Sequence, residues 1–251
     1  MDYQIYALKL GDLEDPASSF LYRTGSKEKL KLFFYFWCIE KKGKIILVDT
    51  GFTKEMAQER GIKNYLNPVE QLSKIGIEAK SINQIIITHI HYDHFGGYQY
   101  FPNAVFYIQE QEVDAWSNKP LSNYSGFKNL IRPWFISDLK KLTKRGKVKL
   151  LNGNKKLFKD IGVVLTGGHS PGLQFVTIQT KDNKIVLASD VCHLYENLKQ
   201  DTPSSIFVNL ADSLNALETV KSYPRDIIIS GHAPEVLDKF QKINKSIVKI
   251  A

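Results

Sequence analysis

The sequence predicts an α/β protein with mixed strands, and three observations support that fold class. Short apolar runs of strand length alternate along the chain with stretches that have helical spacing. Several of these runs end in a histidine or an aspartate, where open α/β folds usually place their sites. The 251 residues, 43% of them hydrophobic, are enough for a sizeable core in one large domain or two small ones.

The strand and helix patterns follow one another in an order that suggests two similar halves. Strands are expected at 3–9, 32–39, 44–48, 85–88, 104–108, 162–166, 174–180, 185–189 and 227–230. Helices are expected at about 54–60, 68–76, 109–116, 126–143 and 211–222. The pattern by itself does not say how the strands pair.

The most informative segment is the decamer at 88–97, Thr-His-Ile-His-Tyr-Asp-His-Phe-Gly-Gly. It contains three of the six histidines, His89, His91 and His94, together with Asp93. Imidazole and carboxylate are ligands for zinc and similar divalent ions. Because an isoleucine run precedes the decamer and two glycines end it, we expect these side chains on a loop that leaves a buried strand. The pattern predicts a metal site.

Four further residues of ligand type follow apolar runs elsewhere in the chain: Asp49, His169, Asp190 and His232. Each of them alone is typical of a hydrogen-bonded structural residue, and Asp49 alone is typical of a turn. Repeated in succession beside the decamer, they indicate partners for the same site. The sixth histidine, His193, lies three residues after Asp190.

Taken in order, these motifs resemble the metallo-β-lactamase superfamily of dinuclear metal hydrolases, over about residues 45 to 235. Within it the chain is most similar to the N-acyl homoserine lactonase group, on the segments 168–174 and 189–198 and on overall length. The resemblance implies a four-layer αββα sandwich, in which two mixed sheets pack face to face with helices outside. It also implies that residues 1–251 form a single hydrolase domain.

The resemblance further implies seven ligands for two divalent metal ions, which are expected to be zinc, with iron, manganese or cobalt also compatible. The ligands would be His89, His91 and His169 for one ion, Asp93, His94 and His232 for the other, and Asp190 as the bridge between them. Asp49 would accept a hydrogen bond from a ligating histidine and so fix its tautomer. Many zinc β-lactamases have a cysteine at the bridging position, so the aspartate favours an ester or lactone hydrolase.

In the implied reaction, a hydroxide that bridges the metals attacks the carbonyl of a lactone or ester, most closely an N-acyl homoserine lactone. Asp93 would carry a proton to the leaving group. The best-known lactonases have a tyrosine three residues after the bridging aspartate, whereas this chain has His193, and the nearest tyrosine is Tyr195. His193 either donates the same hydrogen bond to the substrate carbonyl, marks a different substrate, or packs in a loop. In the last case Tyr195 is the next candidate.

Aromatic residues are concentrated at 17–36 and 116–135. Most of them are expected in the core. Phe20 and Tyr22 are the best candidates to line an apolar pocket for the substrate, because their segment begins as a loop.

Composition argues against several other classes of partner. The net charge is +8, from 34 basic and 26 acidic residues, but the lysines are dispersed and form no stripe interleaved with aromatic residues. A nucleic-acid partner is therefore not expected, and a nuclease or phosphodiesterase is only a lesser alternative. A thioesterase of glyoxalase II type shares the ligands, but usually carries an added helical domain. The small-molecule lactone or ester remains the expected partner.

The expected location is the cytoplasm. The first residues lack the basic and then apolar design of a signal peptide. No apolar run reaches the roughly 18 residues of a membrane span, so no membrane partner is expected. The two cysteines, Cys38 and Cys192, lack metal-type or redox-type spacing. Nothing in the sequence indicates an oligomeric state.

Overall fold

The structure, a computed structural model, describes residues 2–117 and 121–251. The strands are β1 Gln4–Pro16, β2 Lys29–Lys41, β3 Lys44–Val48, β4 Gln84–Ile86, β5 Val105–Gln109, β6 Val148–Leu151, β7 Lys155–Phe158, β8 Ile161–Leu165, β9 Gln174–Gln179, β10 Lys184–Leu187, β11 Ile228–Ile229, β12 Gln241–Asn244 and β13 Ile247–Lys249. The α-helices are α1 Lys54–Glu59, α2 Pro68–Ser73, α3 Tyr92–Phe95, α4 Glu110–Ser117, α5 Pro133–Lys144, α6 Tyr195–Lys199, α7 Leu210–Lys221 and α8 Val236–Lys239. None of the helices in these two ranges is long and apolar enough to cross a membrane.

The strands form two mixed sheets. The first has eight strands in the order β12-β13-β1-β2-β3-β4-β5-β6, and the second has five in the order β11-β10-β9-β8-β7. In the first sheet β3, β4, β5 and β6 run parallel, while β1, β2 and β3 pair antiparallel. In the second sheet only β10 and β11 are parallel. Each sheet therefore has the mixed character that the resemblance implies.

Alternation along the strands builds the layers. In β2, Tyr35 and Trp37 point to the other sheet, where they join a cluster that includes Val176 of β9, while Phe34 and Phe36 point outward beneath the helices. This is the period of two that a strand imposes on its side chains. The apolar layer between the sheets holds them face to face.

Helices cover both outer faces. Apolar residues of α1, α2 and α5 pack on the first sheet, for example Met56, Leu72 and Phe135. Leu217 and Val220 of α7 pack on the second sheet. The four-layer αββα sandwich expected from the resemblance is thus confirmed, while the expectation of two similar halves is wrong, since the sheets have eight and five strands.

Some elements differ from those expected. β6, β7, β12 and β13 were not predicted, and the helix expected at 126–143 begins only at Pro133, whose ring suits the first turn of a helix. β6 carries two exposed residues between two buried ones, and β12 is mostly exposed, so neither shows the regular alternation of a half-buried strand.

The arrangement of the strands brings their ends to one edge of the sandwich. β3, β4, β8, β10 and β11 end, respectively, just before Asp49, the decamer, His169, Asp190 and His232. Two buried glutamines tie the sheets there: Gln174 donates to the Ile87 carbonyl at 2.7 Å, and Gln109 donates to Gln174 at 2.8 Å. The candidate site therefore lies on backbone that is fixed by both sheets.

Candidate metal centre

The decamer leaves β4 and turns into the short helix α3. His89 and His91 precede the helix, and His89 Nε2 lies 3.0 Å from His91 Nδ1. Asp93 and His94 lie within α3, not on a loop, and the helical turn directs them to a different side. One segment thus supplies ligand-type atoms to two neighbouring candidate metal positions, the first at His89 and His91 and the second at Asp93 and His94.

His169 reaches the first position from the turn after β8. Its Nε2 atom lies 2.9 Å from His91 Nδ1. The turn requires a glycine at Gly168, where φ is +91° and an added Cβ would lie 2.6 Å from the backbone of Ser213. Close packing of this turn against α7 therefore fixes the position of His169.

Asp190 lies between the two positions and directs one carboxylate oxygen to each. Its Oδ2 atom is 3.2 Å from His169 Nε2 and 3.8 Å from His89 Nε2. Its Oδ1 atom is 3.2 Å from both His94 Nε2 and His232 Nε2. The carboxylate has the orientation that a bridge between two cations requires.

Three of the histidines are held by hydrogen bonds on the side away from the cluster. His94 Nδ1 lies 2.7 Å from Asp49 Oδ2, and His232 Nδ1 lies 3.0 Å from the Phe33 carbonyl oxygen. His169 Nδ1 lies 2.7 Å from the carbonyl oxygen of Ile206. Because each Nδ1 faces an acceptor, it carries the proton and leaves the Nε2 lone pair directed at the cluster.

Asp49 is fully buried and takes up a left-handed backbone conformation, with φ of +65°. It accepts hydrogen bonds from the Thr88 amide at 2.8 Å and the Thr88 hydroxyl at 2.9 Å, in addition to facing His94. These contacts place a carboxylate against a histidine of the decamer, as expected of a residue that orients a ligand.

The residues fit metal ions. Among the described residues, three buried histidine nitrogens have no hydrogen-bond partner: His91 Nε2, His94 Nε2 and His193 Nδ1. Leaving such an atom unpartnered in the interior costs free energy, and a cation held by Asp93, His94 and His232 would satisfy His94 Nε2. The ligand atoms form four groups, each spanning less than 4.8 Å: His89, His91 and His169; His89, His94 and Asp190; Asp93, His94 and His232; and His169, Asp190 and His193. Imidazole and carboxylate together suit zinc and related divalent ions.

Electrostatics favour the ligand forms of His89, His91 and Asp190. Burial, helped by neighbouring imidazoles, lowers the pKa of His89 and His91 well below its ordinary value. Burial opposes ionisation of Asp190, but the surrounding histidines outweigh it and hold the pKa of that carboxyl well below its ordinary value. Neutral imidazole and ionised carboxylate are the states that bind metal.

The cluster also lacks positive charge. Burial opposes protonation of His94, but the carboxylates of Asp190, Asp93 and Asp49 outweigh it and raise the pKa of His94 well above its ordinary value. The same competition, between burial and mainly Asp190, raises the pKa of His232. A bound cation supplies the charge that these carboxylates otherwise draw from a proton.

His193 belongs to the cluster, so all six histidines of the chain converge on one space. Its Nε2 atom lies 3.2 Å from Asp190 Oδ2, and its ring stacks on His232 with centroids 5.4 Å apart. Its Nδ1 atom is buried and has no hydrogen-bond partner among the described residues.

Glu112, on α4, connects the two loops that carry His91 and His169, and sequence reasoning missed it. Its carboxylate is fully buried and accepts hydrogen bonds from the Ile90 amide at 3.0 Å, the Ser170 hydroxyl at 2.6 Å and the Gly172 amide at 2.7 Å. Burial outweighs these bonds and raises the pKa of Glu112. Nothing in the sequence distinguishes it from Glu110, because only the fold shows which of the two points inward.

A cavity of about 260 Å³ opens over the cluster. Phe20 lines it, 6.4 Å from the His193 ring between centroids. Tyr22 instead packs its ring edge-on against Phe207, with centroids 5.2 Å apart. The Tyr195 hydroxyl donates to the Ile228 carbonyl at 3.2 Å, because the residue begins α6 and packs on β11. Of these three candidates, only Phe20 is among the residues lining the cavity.

Comparisons with known proteins agree with this geometry. The sequence profile described as Metallo-beta-lactamase superfamily matches residues 35–232. The N-acyl homoserine lactonase of Bacillus thuringiensis is 27% identical over 215 residues, which are 78% of this chain and 80% of that protein. The N-acyl homoserine lactonase AttM of Rhizobium radiobacter is 21% identical over 96% of this chain and 97% of its own length.

Solved structures show the same fold. A crystal structure of a quorum-quenching N-acyl homoserine lactone lactonase has a TM-score of 0.77 at 23% identity and covers 96% of both chains. AidC, a dizinc quorum-quenching lactonase in complex with a product, has a TM-score of 0.73 at 23% identity, covering 92% of this chain and 88% of its own.

Proposed function

The chain belongs to the metallo-β-lactamase superfamily of metal-dependent hydrolases, and we propose that it opens the ring of a lactone of the N-acyl homoserine lactone type. The observation that carries the proposal is the orientation of Asp190, whose two carboxylate oxygens face two different groups of histidines. A carboxylate at this place suits a two-ion site that acts on esters and lactones. The curated relatives named above are lactonases.

In this proposal, seven side chains hold two divalent ions, with zinc expected because a structural relative is a dizinc enzyme. They are His89, His91 and His169 on one side, Asp93, His94 and His232 on the other, and Asp190 between. When bound, the ions supply Lewis acidity and a hydroxide nucleophile at neutral pH. Asp49 and the backbone carbonyls hold the proton of these histidines on Nδ1, so that Nε2 is available to bind an ion.

Asp93 is the residue proposed to move the proton. It lines the cavity, and its Oδ2 atom lies 3.4 Å from His94 Nε2 and 3.8 Å from His232 Nε2. Burial opposes its ionisation, but His94 and His232 outweigh burial and lower the pKa of Asp93. It is therefore a carboxylate that can accept a proton during attack and return it to the leaving alkoxide.

His193 is proposed to hold the substrate carbonyl. It lines the cavity, and its Nδ1 atom has no hydrogen-bond partner among the described residues. A neutral imidazole carries one N–H, so donation from Nδ1 to the substrate carbonyl, in the place of the lactonase tyrosine, requires the tautomer with the proton on Nδ1 and not on Nε2, which lies 3.2 Å from Asp190 Oδ2. Stacking on His232 and the neighbouring ring of Phe20 fix the orientation of His193.

Phe20 forms part of the apolar wall of the proposed pocket, and Tyr22, two residues later, packs against Phe207. The cavity, at about 260 Å³, is slightly smaller than typical ligand pockets, which are about 300–1,000 Å³. A lactone ring with a short substituent fits this space better than a long acyl chain.

The test is a panel of substrates assayed on protein reconstituted with zinc, iron, manganese or cobalt, with metal content measured on the same samples. The panel contains short- and long-chain N-acyl homoserine lactones, a simple lactone, a thioester, a β-lactam and a phosphodiester. We expect two ions per chain and the highest kcat/KM on a short-chain lactone. A preference for the thioester or the phosphodiester would overturn the proposed substrate class, and one ion or none after loading with excess metal would overturn the two-ion site.

A further inference from the structure

Arg60 lines the cavity and forms no ion pair within residues 2–117 and 121–251. Arg60, the residue that ends α1, lines the same cavity as His91, Asp93 and His193. Its Nη2 atom is buried and has no hydrogen-bond partner among the residues the structure describes. The proposed reaction gives this guanidinium no task.

The position of Arg60 is held by an aromatic ring and not by a carboxylate. Its guanidinium lies over the ring of Tyr92, 4.2 Å from the centroid. Tyr92 stands between His91 and Asp93 in the sequence, and Phe52 packs against its ring. Stacking of this kind fixes the plane of the guanidinium and leaves its edge, with the N–H donors, free to bind a ligand.

The acidic neighbours of Arg60 are engaged elsewhere. Glu59, the preceding residue, pairs with Nη2 of Arg132. Asp93 faces the cluster. Asp15 also lines the cavity, but in the described part of the chain no carboxylate lies within 4.0 Å of the Arg60 guanidinium. A buried guanidinium edge without an acceptor is unfavourable unless a ligand supplies one.

We propose that Arg60 binds a carboxylate carried by the substrate at a distance from the reacting carbonyl. The substrate would then be an acidic lactone or ester, for example one whose acyl chain ends in a carboxylate. A planar guanidinium matches a carboxylate with two parallel hydrogen bonds, which gives both affinity and orientation. This inference rests on the proposed lactone hydrolysis and narrows its substrate class.

The experiment compares two lactones that differ only in one group: an N-acyl homoserine lactone whose short chain ends in a carboxylate, and its methyl ester. On metal-loaded wild type we expect kcat/KM for the acid to exceed that for the ester by about 10- to 100-fold, mainly through KM. Arg60→Gln should lose this preference and keep its rate on the ester, while Arg60→Lys should retain part of the preference. Arg145→Gln, a change at an exposed arginine after α5, is the matched control and should behave as wild type.

A second measurement separates the two proposals. The lactam analogues of both compounds cannot be opened at the ester bond, and calorimetry gives their affinities for wild type and for Arg60→Gln. If lactones are hydrolysed without preference for the acid, or if Arg60→Gln keeps that preference, the role of Arg60 is wrong while lactone hydrolysis stands. A different outcome would separate the proposals in the other direction. Suppose that no lactone is hydrolysed, but that wild type binds the acidic lactam more tightly than the methyl ester of that lactam and Arg60→Gln does not. The carboxylate site then stands and the proposed reaction fails. Equal binding of both lactams would overturn the Arg60 site directly.

Discussion

The two ends of the sandwich differ in the size of their cavities and in the polar side chains that line them, and the larger cavity is not at the candidate metal centre. At the end opposite the candidate centre lies a cavity of about 710 Å³, bordered by the start of β3 and the hairpin between β7 and β8. The cavity at the metal end is only about 260 Å³. Three polar side chains at the large cavity are paired with one another: Lys41 lies 3.1 Å from Asp160, and Tyr3 donates to the same carboxylate at 3.4 Å.

At the metal end, in contrast, polar atoms are buried and several lack a partner. His91, His94 and His193 each have one such ring nitrogen, and Arg60 has one guanidinium nitrogen, counted over the described residues. A fold tolerates buried polar atoms without partners when a ligand completes them. In this molecule the ligand-type side chains and their unsatisfied buried nitrogens mark the candidate site, although the cavity at the opposite end is larger.

The largest effect is expected from removing the bridge. Asp190→Asn should lower kcat by several orders of magnitude and reduce metal retention, because an amide cannot direct two anionic oxygens at two cations. Elemental analysis and kinetics on the same preparation measure both quantities. Asp160→Asn at the large cavity is the control, and a variant Asp190→Asn with normal metal content and turnover would remove Asp190 from the site.

The next largest effect is expected at Asp49. Asp49→Asn keeps the size of the side chain and tolerates the left-handed backbone. It loses the charge that faces His94 Nδ1, and we expect metal affinity or activity to fall by about 10- to 100-fold. Titration with zinc in the presence of a competing chelator measures the change. Unchanged affinity would mean that Asp49 serves the backbone of Thr88 only.

An effect of comparable size is expected at His193. His193→Ala should cost about 1.5–3 kcal/mol of transition-state stabilisation, because a hydrogen bond to an oxygen with developing charge is lost. His193→Tyr should restore part of the loss, and metal content should stay at two ions in both variants. Wild-type kcat/KM in His193→Ala would exclude the carbonyl contact, whereas loss of one ion would identify His193 as a further ligand.

The smallest effect is expected at the opposite end. Lys41→Gln breaks the pair with Asp160, but this pair is partly exposed to solvent, and such pairs contribute little to stability. Thermal unfolding should change only slightly, and kcat/KM and metal content should match wild type. A large loss of activity in this variant would mean that the two ends are coupled and that the contrast between them is incomplete.

The sequence by itself determined the fold class and the set of residues of ligand type. Each expected strand and each expected helix overlaps with a structural element, because their apolar residues keep the period of a strand or a helix. The decamer could be recognised since its ligand-type residues lie close together in the sequence. His169, Asp190 and His232 could be recognised since each follows an apolar run.

Only the tertiary structure decided which of those residues meet, and which charged residues turn inward. β6 and β12 lack a regular apolar period, so pairing with neighbouring strands, and not local pattern, forms them. Glu112 and Arg60 resemble the surface charges beside them in the sequence. Their burial depends on the packing of α4 and α1 against loops that are distant in the sequence. A local sequence pattern carries no information about such contacts. For the same reason, only the tertiary structure shows that the Tyr195 hydroxyl donates to the Ile228 carbonyl, whereas His193 lies beside Asp190 in the candidate metal centre.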